Sequence, residues 1–344
     1  MKEPATKNHE SHLWIKDMKE DDHVHGLYLA RVKKVGLTRK GDPFISITLT
    51  DRTGDVEARV WDRAEELSSL FSEGDILDVE GYASSYRQQI QVTLSKLKVA
   101  TDNFDPTIFL ETTTRDTTKM MRDLRAILKD IKNPSLKTLI ESFLSDHHFN
   151  TLFKKAPAAK NFHHCYLGGL LEHTLSVCGM IKHAIGHYED LEGDLLLTGA
   201  FLHDIGKIKE YKFNIHIDFT DEGRLLGHLV LGIAMLDEKL AGIKGFPQEL
   251  AFRLKHLILS HHGQYEFGSP KRPKFLEAFV LHLIDDLDAK MNGVGRFMKR
   301  DRQDGAWTDF NRLFERYFLK GKISSVEEKM IIKTQEERKQ KALF

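Results

Sequence analysis

Cysteine is nearly missing: Cys165 and Cys178 are the two in a chain of 344 residues. A disulfide framework is thereby excluded. If the segment between them is helical, a separation of 13 residues amounts to about 20 Å, too far to bridge. Long apolar runs are missing too, since none approaches the roughly 18 residues that a membrane span requires. The opening stretch MKEPATKNHESHLW lacks the apolar centre of a signal peptide. Together these absences predict a cytoplasmic protein without membrane association. Net charge is lacking as well, with 51 basic against 51 acidic side chains. The chain is therefore not a polycation, and any nucleic-acid contact must come from local patches.

Such patches exist. Residues 106–160 carry 10 basic and 6 acidic side chains, and residues 296–344 carry 13 and 8, whereas the segments 1–105 and 161–295 are mildly acidic. Histidine is more uneven still, because 14 of 18 lie from His147 to His282. A lone histidine on an apolar helix is usually an ordinary core or boundary residue, and His183, His187, His256 and His282 are read that way. A cluster calls for metal or acid–base chemistry.

Alternation marks the first hundred residues as strands. Ile45, Ile47 and Leu49 share one face, and so do Val56, Ala58 and Val60, with Asp51-Arg52-Thr53-Gly54-Asp55 as the hairpin turn between them. Further strands are predicted over 26–35, 76–82 and 86–97, with one short helix (64–71) between the third and fourth. Five strands in that order suit a small closed oligonucleotide/oligosaccharide-binding (OB) barrel. The phrase Gly41-Asp42-Pro43-Phe44-Ile45-Ser46-Ile47-Thr48-Leu49-Thr50-Asp51-Arg52-Thr53-Gly54 resembles OB domains that bind transfer RNA and single-stranded DNA. A nucleic-acid face needs aromatic platforms among basic residues. The candidates are Tyr28, Phe44, Trp61, Tyr82 and Tyr86, with Arg31, Lys33, Arg39, Lys40 and Arg87. Some of these aromatics must fill the barrel, and a barrel used only for protein docking is the competing reading.

Residues 101–120 read as a Thr/Asp-rich linker, followed by helices near 119–131 and 135–146. Beyond residue 167 the pattern is helical almost throughout, over 167–185, 194–203, 225–240, 248–261, 274–292 and around 308–319, with a charged helix or frayed tail at 325–344. The domain organisation expected is a flexible start (1–22), an OB domain (23–105), a linker with connecting helices (106–160), a helical domain (161–300) and a helical basic tail (301–344).

Five helices or helix ends of this region carry His173, the adjacent pair His203-Asp204, His228, the pair His261-His262, and Asp285. Inward-facing ligands from several helices are how bundles assemble metal sites. Imidazole and carboxylate together suit zinc, manganese or iron(II). This H…HD…H…H…D pattern resembles the HD-domain metal phosphohydrolases. The phrases around it, Gly168-Gly169-Leu170-Leu171-Glu172-His173, Leu202-His203-Asp204-Ile205-Gly206-Lys207, Ser260-His261-His262-Gly263 and Ile284-Asp285-Asp286-Leu287-Asp288, make the chain similar over about residues 24–295 to the YhaM-type 3′→5′ exoribonucleases, with an OB domain in front.

The resemblance implies a multidomain α+β chain, an N-terminal five-stranded OB-type β-barrel followed by an all-α HD-domain helical bundle. It implies divalent metal, two ions per site, manganese first and iron, cobalt or zinc as alternatives. The ligands would be His173, His203, Asp204, His228, Asp285 and one or both of His261 and His262, with Asp204 bridging. Asp285 shares a helix face with Asp288, whereas Asp286 is turned about 100° away, which favours Asp285. Lys207 would hold a phosphate oxygen or act as an ordinary helix-end charge. His163 or His164 would be a second phosphate donor or the leaving-group acid. Lys271, Arg272 and Lys274 would steer the backbone of RNA or simply be solvated. The expected function is hydrolysis of single-stranded RNA, and of DNA as a further substrate, from the 3′ end to nucleoside 5′-monophosphates, by a chain that is a candidate homo-oligomer. The alternatives are a phosphohydrolase of free nucleotides or cyclic dinucleotides, and a non-catalytic RNA-binding adaptor.

Overall fold

A computed structural model describes residues 12–38, 40–86, 89–100, 104–301 and 305–321. The chain divides into two compact units, Met1–Asp286 and Leu287–Phe344.

The first unit begins with a closed barrel, in spatial order β1-β2-β3-β5-β4, from β1 (His23–Leu37), β2 (Pro43–Asp51), β3 (Gly54–Val60), β4 (Ile76–Tyr86) and β5 (Gln89–Val99). The short helix α1 (Ala64–Ser68) lies between β3 and β4. Register explains the alternation: Ile45 pairs with Val60, Ile47 with Ala58 and Leu49 with Val56, so all six side chains enter the barrel core. Closure comes from β3 and β5, which run parallel with Ala58 opposite Val92. A bulge between Ala30 and Val32 bends β1, and its two halves pair with different neighbours, β4 and β2.

Asp51 ends β2 and is buried. One carboxylate oxygen accepts from the Thr53 amide at 2.6 Å and the Gly54 amide at 3.2 Å, which builds the turn that the sequence predicts. The other accepts from the Ile15 amide at 2.8 Å and lies 3.3 Å from His12 Nε2, so it pins the N-terminal segment across the barrel. Burial pushes this carboxyl up, but the bonds from His12, Thr53 and Ile15 outweigh it and hold it below the usual range. A depressed carboxyl stabilises the fold above its unfolded value of ~3.9, and that stabilisation is lost as pH falls through the folded value. Asp51→Ala is therefore expected to cost about 2–3 kcal/mol at neutral pH, because it strands buried amides. The gap to wild type should close in acid. Urea melts at pH 7 and pH 3 check this, and an equal gap at both would refute it.

Two nucleic-acid candidates of the barrel are corrected by this geometry. Tyr28 is completely buried, and its hydroxyl donates to the Leu13 carbonyl. It fills the core and offers no platform. The Lys33 ammonium donates to the Ser68 and Phe71 carbonyls beyond α1 and covers the Phe71 ring. Its charge is therefore tied to the helix end. Phe44 and Trp61 do form an aromatic pair, with centroids 5.2 Å apart and Arg59 5.1 Å from the Phe44 ring, and Trp61 is 46% exposed. Tyr82 and Tyr86 are exposed along β4, whereas Arg31 is exposed but paired to Asp55 at 2.7 Å. Arg39 and Arg87 lie outside the described residues.

The segment after the barrel is no loose linker. Ile108 and Phe109 pack on Leu29 and Ile76, with Ile215 beside them. Next come α2 (Thr117–Leu128), α3 (Pro134–Leu144) and α4 (His147–Lys155), capped by Asp116, Asn133 and Asp146. The sequence pattern predicts no α4 and makes α2 and α3 connecting helices. They belong to the helical domain proper, since Leu124, Phe143 and Phe153 share one core with residues of α5 (Gly169–His187), α6 (Gly193–Leu202), α8 (Asp221–Ala241) and α9 (Gln248–Ser260). The single-turn α7 (Lys207–Glu210) follows α6. A hairpin of β6 (Tyr211–Phe213) and β7 (Ile217–Phe219) interrupts the helices. Strands of three residues are too short for alternation to reveal. The first unit closes with the start of α10 (Leu276–Arg300).

The second unit holds the rest of α10 and residues to 321. The helix expected around 308–319 is a looped turn instead, with bridges Trp307–Leu319 and Asn311–Arg316. Its cause is local: the Asn311 side chain accepts from the Leu313 and Phe314 amides, a competitor of helix bonding. The tail expected at 325–344 lies outside the described residues.

Candidate metal centre

Two helix ends use one device. His203 and His261 follow α6 and α9, and each Nδ1 lies 2.8 Å from the carbonyl three residues back, Ala200 and Ile258. A carbonyl only accepts, so each Nδ1 carries a proton, and Nε2 is the ring nitrogen turned inward. His173, from the second turn of α5, brings its Nε2 to 3.2 Å from that of His203 and 3.1 Å from Asp285 Oδ1 on α10. All three histidines are buried.

His228 is held differently. α8 is broken at Gly227 (φ 72°), and both the His228 amide (2.9 Å) and its Nδ1 (3.1 Å) meet one oxygen of buried Glu210. Its Nε2 is left buried without a partner. Gly206 makes this approach possible, because a Cβ there would lie 2.0 Å from the His228 carbonyl oxygen. The phrase His203-Asp204-Ile205-Gly206-Lys207 therefore combines two inward side chains with one backbone contact.

Asp204 stands between the two sets. Oδ2 is 3.4 Å from His203 Nε2 and 3.5 Å from His173 Nε2, while Oδ1 is 3.6 Å from His228 Nε2 and 3.5 Å from His261 Nε2. Oδ1 has no hydrogen-bond partner. His228, His261 and His262 form one potential ligand group, and His173, His203 and Asp204 another. Asp204 Oδ1 and His228 Nε2, both buried and without a hydrogen-bond partner, thus face each other at 3.6 Å among further imidazoles, an arrangement that a divalent cation satisfies.

Burial pushes the Asp204 carboxyl up, yet the Lys207 ammonium and His203 outweigh it and hold it well below the carboxylate range. Asp285 is likewise low, through His173 and His203 acting against burial. Burial drives His262 down to about 3 and lowers His261, so both are neutral, ligand-competent imidazoles near pH 7.

The expected ligand set is thus brought together in full. Both His261 and His262 lie within reach of it, together with His228. Lys207 differs from expectation: its ammonium is buried and bonded to Asp204 Oδ2 at 2.6 Å. His164 is also committed, with Nδ1 2.9 Å from the Tyr166 hydroxyl, which in turn lies 3.2 Å from Glu172. His163, with its ring 5.4 Å from that of His173, keeps a buried Nδ1 without a partner, and burial lowers it to about 2. Lys271 and Arg272 are exposed on the loop after α9. Sequence reasoning missed Glu210, since a glutamate after Lys207-Ile208-Lys209 reads as solvated surface.

Residues 170–290 match the HD domain family and residues 29–100 match the OB-fold nucleic acid binding domain. The 3′-5′ exoribonuclease YhaM of Bacillus subtilis is 34% identical over 281 residues, 81% of this chain and 88% of that protein. The chain belongs to the YhaM family. YhaM of Bacillus pumilus is 34% identical over 82% of the chain and 89% of its own length, and YhaM of a Geobacillus species is 33% identical over 85% and 90%. A match to 81% of a 344-residue chain cannot avoid residues 70–275. The likeness to YhaM thus spans the segment from His173 to His262. Membership brings an HD domain, for which divalent metal is the expected cofactor, and an OB domain, for which nucleic acid is the expected partner. Among the described residues no helix is long and apolar enough to cross a membrane.

Proposed function

We propose that this chain is a cytoplasmic, divalent-metal-dependent 3′→5′ exoribonuclease that releases nucleoside 5′-monophosphates from single-stranded RNA, and also accepts single-stranded DNA. The observation that carries the reading is the convergence of four imidazole Nε2 atoms on both oxygens of Asp204. His173, His203, Asp204 and Asp285 would hold one ion, and Asp204, His228, His261 and His262 a second. Manganese suits this mixture of imidazole and carboxylate, with iron, cobalt or zinc as alternatives. Bound there, such ions supply Lewis acidity and acidify water to a pKa of about 7.

The chain's own residues do the rest. Lys207 offsets the charge of Asp204 and fixes its direction. His163, neutral and uncommitted, is better disposed than His164 to contact a substrate oxygen. In the barrel, Phe44 and Trp61 offer stacking to a single strand, with Arg59, paired to Glu57, beside the Phe44 ring.

The test is incubation of 5′-labelled single-stranded RNA with Mn²⁺. A ladder shortened from the 3′ end with mononucleotide product is expected, abolished by EDTA and restored by excess Mn²⁺. Internal cuts would overturn the reading. An intact polymer alongside hydrolysed free nucleotides or cyclic dinucleotides would favour the phosphohydrolase alternative.

A further inference from the structure

The loop after α9 has features that the metal centre does not use. It is pinned at both ends. The Gly263 amide donates to the Ser260 carbonyl at 2.8 Å, and buried Ser269 places Oγ 2.9 Å from the Leu259 carbonyl and 2.7 Å from that of Lys271. Between these anchors a short turn, Tyr265–Phe267, is closed by the Gly268 amide donating to the Tyr265 carbonyl at 3.0 Å.

A turn held this way normally carries polar side chains outward. This one presents two aromatics, Tyr265 at 55% exposure and Phe267 at 63%. The Arg272 guanidinium lies 5.0 Å from the Tyr265 ring, beside exposed Lys271. The turn is also coupled to the metal centre, because the Phe267 carbonyl is 3.0 Å from His262 Nδ1, and the His262 ring is 4.4 Å from that of His261. Exposed rings with cations beside them, on a turn that contacts His262 of the candidate metal centre, match what a nucleotide presents: a π face and a charged backbone.

We infer that Tyr265 and Phe267 form a base-stacking platform for the nucleotide next to the scissile phosphodiester, with Arg272 and Lys271 neutralising the adjoining phosphate. The inference rests on the exoribonuclease reading and adds a positioning element within the helical domain, separate from the barrel. Because every base has a π face, such a platform tolerates sequence and demands only that a base be present.

The test uses the full chain with Mn²⁺ and three oligoribonucleotides: intact, lacking the base at the 3′-terminal nucleotide, and lacking it at the penultimate one. For wild type, one of the two abasic substrates should show KM raised about tenfold, the size of one base–aromatic stack. In a Tyr265→Ala/Phe267→Ala variant, intact and abasic substrates should become equivalent, while Tyr265→Phe keeps the wild-type preference. Shortening of RNA with no base preference in wild type, or a preference that persists in the double variant, overturns the platform alone. Failure of wild type to shorten any of the three overturns the exoribonuclease reading and the platform with it.

Discussion

Asp204→Asn should lower RNA cleavage by about a thousandfold or more while leaving RNA binding near the wild-type level. The size follows from what the residue does. Its two oxygens face two groups of imidazoles, Oδ2 toward His173 and His203 and Oδ1 toward His228 and His261. An amide would supply one neutral acceptor where the proposed pair of cations would need a charged carboxylate between them. Loss of several kcal/mol of charge stabilisation corresponds to three or more powers of ten in rate. Asparagine is the better probe than alanine, because alanine would leave the buried Lys207 ammonium without a partner, at about 3–5 kcal/mol of stability. The measurements are turnover of labelled RNA, binding by fluorescence anisotropy, and a thermal melt as a folding check. Normal turnover in the asparagine variant would mean that the metal centre has been misassigned.

Glu210→Ala is expected to weaken binding of one of two metal ions by about 10–100-fold, the usual effect of removing the group that orients a histidine ligand. One oxygen of Glu210 accepts from the His228 amide and lies 3.1 Å from its Nδ1, which turns the unpartnered Nε2 toward Asp204. Burial pushes the Glu210 carboxyl up, but His228 outweighs it and keeps it ionised. Calorimetric titration of metal-stripped protein with Mn²⁺ should resolve one weakened and one near-normal site, with Glu210→Gln intermediate. Two sites of wild-type affinity in the alanine variant would eliminate Glu210 as the positioning residue of His228. Because the readout is metal affinity, this outcome is independent of whether RNA is the substrate.

How much of this was legible in the sequence depended on whether a residue's role is local. The barrel strands were readable because Ile45, Ile47, Leu49 and their partners alternate over enough residues to declare a face. The candidate ligands were readable because histidines and aspartates recurred within or at the ends of five helices. α4 was missed because its nine residues follow α3 without a break in pattern, and its aromatic face only makes sense against Phe143 and Phe201. Tyr28 and Trp61 look alike as aromatics in strands, yet one fills the barrel and the other lies half in solvent. Composition cannot separate them, since the decision is made by neighbours on other strands.

The sequence by itself determined the five strands, most of the helices that follow them and the candidate ligands from His173 to Asp285. Those features arise from periodicity and residue type, which are properties of short stretches. Only the tertiary structure decided that Lys207 binds Asp204, that Glu210 orients His228, that both His261 and His262 lie within reach of the centre, and that Tyr265 and Phe267 face outward beside it. Each of these depends on a partner brought close by packing. Gly206, where the absence of one methyl group lets α7 meet the His228 carbonyl, shows how little in the sequence announces such a contact.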